Sequence, residues 1–297
     1  MKKIRRWLVI PFIGWIIWIL ITYDLTPLMT ALTALDPWIV VLLLLLQLFT
    51  FALMSHQWLH LLRVKGHHAF LSILNILFAS AFTEGITPSV KFGSEAVKGY
   101  LLMQRFSLNT KAMVKKVAVQ KIISISALVP FILVTVWLWW SPAEAGVTIV
   151  GLSLLGLLIL TGLWVMRTKF AAMAEWSFKN TWFHYRLSFA IWALFYTKGW
   201  LLSIFMGFDL SAMTVLLVVF VPYLAALVPI TPGGIGTFEA AMVSVLVTSG
   251  ITAETAIVFA LVFRLVTFWF GSAVGAGCIL WDMYQKDRSN PILAKTV

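Results

Sequence analysis

ITPSVKFGSEA, from Ile86 to Ala96, and ITPGGIGTFEA, from Ile230 to Ala240, are two copies of one pattern. Each opens Ile-Thr-Pro, reaches a Glu seven residues after the Pro and closes on Ala. Both lie beside apolar runs, and both are rich in residues that interrupt helices: Pro88 and Gly93 in the first, Pro232, Gly233, Gly234 and Gly236 in the second. A basic residue follows each Glu at nearly the same interval, Lys121 26 positions after Glu95 and Arg264 25 after Glu239. The pattern reads as one broken-helix element used twice.

What surrounds the two copies places them in a membrane. Of 297 residues, 61% are hydrophobic and 11% charged, and the mean hydropathy is +0.97. A soluble domain could not hide so much apolar surface, and the long unbroken runs argue for helices over a barrel. Spanning runs are predicted at 7–23, 38–62, 117–140, 146–166, 187–207 and 254–281. Two further runs, 69–84 and 212–229, each lead into one of the repeated stretches. The single Cys278 excludes a disulfide framework. The net charge of +11 comes with no basic arm interleaved with aromatics, so no nucleic-acid partner is expected.

Basic residues thread the runs through the bilayer. Lys2, Lys3, Arg5 and Arg6 put the N-terminus in the cytoplasm, and the basic-then-apolar start without a small-residue cleavage site reads as an uncleaved first helix. The segments 22–37, 141–146, 207–212 and 248–254 have no Lys or Arg and read as outer loops. If 69–84 crossed fully, Lys91, Lys98, Arg105, Lys111, Lys115 and Lys116 would lie outside, against the rule. If that run enters, breaks and returns, they stay inside. The expected fold is therefore an all-α polytopic membrane protein, 1–297 a single transmembrane domain, with six spans plus two re-entrant broken-helix hairpins, one from each face. Its half-repeats, about 1–140 and 146–285, form an inverted-topology repeat, a build common among secondary transporters. A linker at 168–186, with Trp176, Trp182 and Tyr185, is expected to lie in the interface.

Unwound backbone at membrane depth is tolerated where protein or a wet cavity covers it. Ser94 and Thr237 are predicted N-caps of the returning half-helices, whose N-termini carry partial positive charge suited to phosphate. Arg264 lies ten residues past Glu254, about 15 Å along a helix and so near mid-bilayer. An Arg there costs at least ~2.5–3.5 kcal/mol, so it needs a partner or a task. Glu239 is the natural partner, as Glu95 is for Lys121. These pairs either pin each hairpin to the next helix or line a path, and the two roles are compatible. His56 and His60, at i and i+4, lack a third ligand spaced to join them and are read as interfacial residues; no metal is expected.

At these motifs the chain resembles the flippase-like family of the lysylphosphatidylglycerol synthase transmembrane region and the related UPF0104 proteins. The family pattern P-x-x-x-G-E followed by a basic residue is similar to Pro88, Gly93, Glu95 and Lys98, with Ser94 inserted before the Glu. The pattern P-x-P-G-G-x-G-x-x-E-A is similar to Pro229, Pro232, Gly233, Gly234, Gly236, Glu239 and Ala240, and Arg264, Leu265, Thr267 and Trp269 resemble the family's final helix. One departure is the helix after the first hairpin. Where family members carry E-R-x-x-D, this chain has Gln120, Lys121, Ile122, Ile123 and Ser124, which removes both acids that a charge relay there would use.

The resemblance implies a lipid translocase of the cell (inner or plasma) membrane, with both termini cytoplasmic, acting on a phospholipid or a polyprenyl-linked lipid. Its head-group path is expected to use Gly93, Ser94, Glu95, Lys98 and Lys121 on the inner side and Pro232, Gly233, Gly234, Gly236, Glu239 and Arg264 on the outer. The synthases transfer lysine with a soluble C-terminal domain, and the tail after Trp281 is short and polar, so no aminoacyl transfer, catalytic residue or cofactor is expected. A homo-oligomer or a lipid-modifying partner enzyme stays open as a partner; the rival readings are an accessory subunit of a lipid-modifying or envelope pathway that holds such an enzyme, and an intramembrane enzyme. The latter would need clustered acids or a metal site.

Overall fold

The computed structural model describes residues 36–86, 92–139, 178–226 and 231–288, with Thr26 and Thr30, and every regular element among them is helical. The spans expected at 7–23 and 146–166, residues 168–177 of the linker, Thr87 to Lys91 of the first break, and Pro229 lie outside the described residues.

Helix α1 spans Pro37–Leu62. Asp36 caps it by accepting the Trp38 N–H at 3.0 Å, and Pro37 sits in the first turn, where its missing N–H leaves nothing unpaired. It ends at Arg63, in the left-handed region at φ 59°, where the N–H groups of Arg63 and Val64 take the carbonyls of His60 and Leu59. Then come α2, His67–Ile86; α3, Phe92–Arg105; and α4, Thr110–Trp139, which carries Pro130 inside it. A second set follows the same order: α5, Phe178–Phe205; α6, Ala212–Ala225; a 3-10 turn, Pro232–Gly234; and α7, Thr237–Thr248. Its last helix is composite, with α8, Ala253–Arg264, a π-helical segment, Leu265–Trp269, and α9, Phe270–Arg288. Residues 178–186, part of the expected linker, are the opening turns of α5 and run without a break into its apolar body.

Four stretches are long and apolar enough to cross a membrane: Pro37–Leu62, Thr110–Val134, Asn180–Phe205 and Ala253–Trp281. The chain is thus a multi-pass helical membrane protein. At 1.5 Å per residue, the 14 residues of α6 and the 12 of α7 reach about 21 and 18 Å, short of a hydrocarbon core of ~30 Å. The 14 residues of α3 are short as well. Helix α2, with 20 residues, has the length of the core but carries His67, His68, Asn75 and Glu84.

Helix α2 packs along α3 and α1, and α6 along α7 and α5. The long helices then cross over: α9 lies against α2, α4 lies against α6, and α1 meets α5. One apolar cluster gathers Phe220, Phe238, Phe259 and Phe263; another gathers Phe51, Trp58, Leu77 and Phe78. Where α9 crosses α2 the backbones touch. A Cβ on Gly275 would collide with the Phe78 carbonyl, and one on Gly271 with the Phe51 ring. Small residues permit that approach, and the Ser272 hydroxyl fastens it by donating to the Ala81 carbonyl at 3.2 Å.

Candidate functional site

The second break is built around Arg264. Its Nε donates to Glu239 Oε1 at 2.9 Å and its Nη2 to the Gly233 carbonyl at 2.9 Å. The guanidinium lies over two rings, 4.1 Å from the centre of Phe268 and 4.8 Å from that of Phe238. The other Glu239 oxygen accepts the Gly236 N–H at 2.7 Å, so one carboxylate closes the start of α7 and neutralises the Arg. Gly236 is the N-cap, at φ 83°, a conformation L side chains resist; Thr237 is the first helical residue, its hydroxyl donating back to Gly234 at 3.0 Å. The expectation that Thr237 caps this helix is therefore corrected by one position. The reason is that the sharp glycine turn brings a backbone N–H, not a hydroxyl, to the Glu.

At the first break Glu95 meets two cations. Lys98 Nζ is 2.5 Å from Oε2, and Lys121 Nζ, from α4, is 3.2 Å from Oε1. Lys98 is 5% exposed, and its ammonium lies 5.3 Å from the centre of the Trp58 ring. Ser94 is not the N-cap either. Helix α3 starts at Phe92, which puts Gly93 and Ser94 within its first turn, with Ser94 buried.

The two breaks approach each other. The 3-10 turn at Pro232–Gly234 packs against the end of α2, and a Cβ on Gly233 would lie 2.9 Å from Phe268 and 3.5 Å from the Glu84 carbonyl. The structure thus gathers Pro232, Gly233, Gly234, Gly236, Glu239 and Arg264 around one ion pair. It gathers Glu95, Lys98 and Lys121 around another, with Gly93 and Ser94 in the same first turn of α3 as Glu95.

Two buried polar groups escaped the sequence reading. Lys198 on α5 is 1% exposed, and its ammonium donates to Gln47 Oε1 and, at 3.2 Å, to Thr50 Oγ1, over the Phe195 ring. Gln47 in turn donates to the Thr267 carbonyl of the π segment at 3.2 Å. Gln57 on α1 donates to Ser188 and to the His184 carbonyl on α5, and accepts from Gln120 on α4 at 3.2 Å. The available signal was a single polar residue in the middle of an apolar run, since such a residue must find a partner there. His184 also joins His60, ring centres 5.2 Å apart, a third imidazole that spacing along α1 does not reveal. Among the described residues no three His, Cys, Asp or Glu side chains gather tightly enough to hold a metal ion.

Against known proteins, the model of the lysylphosphatidylglycerol synthase TM region family matches residues 6–275. A UPF0104 membrane protein from Methanothermobacter thermautotrophicus is 29% identical over 93 residues, covering 31% of this chain and 28% of that protein. The chain therefore matches less than a third of that relative's length. No solved structure matches.

Proposed function

The chain belongs to the lysylphosphatidylglycerol synthase TM region family, and from that membership we propose that it moves a lipid with a phosphate-bearing head group between the leaflets of the cell membrane. The observation that carries the reading is the first ion cluster. Glu95 neutralises one of its two lysines, which leaves one formal positive charge at the opening turn of α3, beside that helix's positive end. That combination suits an anionic head group. The tails would stay in lipid while the head group passes between the two breaks, whose elements touch at Gly233 and Glu84.

The same reading makes the two sets of helices an inverted repeat with re-entrant α2–α3 and α6–α7 pairs, six spans in all and both termini cytoplasmic. Its support is the matching element order, the exchange of partners by which α4 lies on α6 and α9 on α2, and four outer loops empty of Lys and Arg.

The test is leaflet exchange of a fluorescent phosphatidylglycerol in liposomes carrying the purified full chain. Wild type should exchange the lipid and Lys98→Glu should lose most of that activity. Equal exchange by both would remove the first cluster from the path. A wild-type chain that binds lipid yet exchanges none would make the protein an accessory subunit. Topology is tested by labelling cysteines introduced at Thr252 and Ala112. Thr252 should react from outside and Ala112 should not; a reactive Ala112 position would make α2 a full span.

A further inference from the structure

Lys198 shares no partner with the ion pairs of the two breaks, and among the described residues no carboxylate pairs with it. It lies within the span Asn180–Phe205 and is 1% exposed. An ionisable side chain in such a place is costly to keep and needs a task. Its acceptors are Gln47 and Thr50 on α1, and the Phe195 ring centre lies 4.1 Å from the ammonium. We propose that Lys198 is a positioning residue for the last span: through the Gln47 amide it holds the wide turn Leu265–Trp269 open, and so fixes the side that α9 shows to α2.

A side-chain amide can be turned end for end, and its neighbours decide which end points where. Here the ammonium decides. It carries donors only, so it takes the Gln47 oxygen and leaves the NH2 group to point elsewhere. Thr50 does not compete for that oxygen, because its hydroxyl hydrogen is engaged with the Leu46 carbonyl at 2.8 Å; its Oγ1 accepts from the same ammonium instead. The Gln47 NH2 group then donates to the Thr267 carbonyl at 3.2 Å, across 220 positions of chain. A neutral amide or hydroxyl at position 198 would satisfy Gln47 either way round and would set no direction.

Thr267 is the middle residue of the π segment. Its own hydroxyl is engaged with the Phe263 carbonyl at 2.7 Å. Wide turns of this kind are rare and short, and a donor from another helix on a carbonyl of the turn is a means of holding one. The relay starts from fixed ground. Gln47 is buried, and beside Lys198 the bare Gly199 brings α5 so near α6 that a Cβ there would run into Val219. Beyond the turn, α9 meets α2 through Ser272, Gly275 and Cys278, three residues apart each time, which touch Ala81, Phe78 and Asn75. The width of the turn decides whether those three face α2 together.

Cys278 is the chain's only cysteine, and its Sγ lies 4.0 Å from Asn75 Oδ1, so Asn75→Cys sets a second thiol opposite it across α9 and α2. The experiment is oxidation of that full chain in detergent, with the thiols that still react with a maleimide counted over time. Amide hydrogen exchange over 265–271 is read in parallel without the Asn75→Cys change. The Asn75→Cys chain should close its disulfide. Adding Gln47→Glu should slow closure by about tenfold, because the carboxylate still pairs with Lys198 but turns an oxygen, not an NH2 group, to the Thr267 carbonyl. Lys198→Met, which frees the amide to turn, should slow closure as well. Both should speed hydrogen exchange over 265–271. Thr50→Val takes one acceptor from Lys198 and leaves Gln47 bonded to Thr267, so it should change neither reading. If the cluster only fastens α1 to α5, Gln47→Glu makes a tighter ion pair and leaves disulfide closure and hydrogen exchange as in wild type. That result overturns the proposal, as does an equal effect of Thr50→Val. Should Lys198→Met melt early, Gln47→Glu, which keeps α1 tied to α5, carries the comparison alone. No lipid movement is read, so the inference stands or falls apart from the translocation reading.

Discussion

At the second break a guanidinium and a carboxylate satisfy each other and also two backbone groups, the Gly233 carbonyl and the Gly236 N–H. At the first, a carboxylate is shared between two ammonium groups, one buried and one about a third exposed. Both breaks carry the same eleven-residue pattern, and they differ in what the charge does. Arg264 is held on every side, by Glu239, by Gly233 and by the faces of Phe238 and Phe268, and its charge is cancelled. The lysines keep one charge in surplus and, having no planar fork, no fixed direction. The contrast gives the two proposed roles different supports: the second break has its charge cancelled and its backbone tied, which fits a pin, and the first keeps the surplus charge on which the proposed anion path rests.

Three substitution sets break or sharpen that contrast. The largest effect belongs to Arg264→Gln, which strands a largely buried carboxylate and removes the donor to Gly233. Loss of one partner of a buried pair costs about 3–5 kcal/mol, read as a fall in the thermal unfolding midpoint in detergent. Exchanging the charges, Glu239→Arg with Arg264→Glu, should recover less than half of it, because the new Glu cannot donate to Gly233 and the new Arg cannot accept from Gly236. Full recovery would reduce the arrangement to a plain ion pair. Next comes Gly233→Ala. At φ 61° and with its new methyl 2.9 Å from Phe268, it should cost about 1–3 kcal/mol, while Gly236→Ala, at φ 83° but facing open space, should cost only the backbone strain of ~1–2 kcal/mol. Equal losses at the two glycines would mean that the Phe268 face is not fixed. The smallest belongs to Lys121→Gln. With its side chain 35% exposed, its pair with Glu95 should hold no more than ~1 kcal/mol, so melting should barely move while lipid exchange falls. A melting loss as large as that of Arg264→Gln would erase the contrast.

The pairs themselves were legible. Glu95 with Lys121 and Glu239 with Arg264 follow from the duplicated motif, the matched intervals and the cost of a mid-membrane Arg. The positions of Pro232 and the glycines after it also announced where the second helix breaks. What stayed hidden depends on contacts between distant segments. Lys198 reads as an unremarked basic residue in an apolar run until α1 supplies Gln47 and Thr50 from 151 and 148 positions away. The caps at Ser94 and Thr237 were misplaced because a helix start slides by one or two residues without altering the apolar pattern. The π segment left no mark for a similar reason, since one extra residue in a turn changes a period too little to see.

That segment decides which way the last span faces. Arg264 and Gly275 are eleven positions apart. In an unbroken α-helix, at 100° per residue, they would stand about 20° apart, nearly on one line. The wide turn at Leu265–Trp269 takes up one residue and swings everything after it by about 100°, so the two end about 80° apart. A single rod thereby turns one side to the glycine turn that Arg264 grips and another to the α2 backbone that Gly275 touches, and the phase between them is stored in five residues. Straightening that segment into α-helix with all five residues kept would rotate Gly275 by about 100°, out from under Phe78, with no change of composition. The molecule would keep its hydropathy and lose its registration, like a lock whose key has been cut true but turned a quarter.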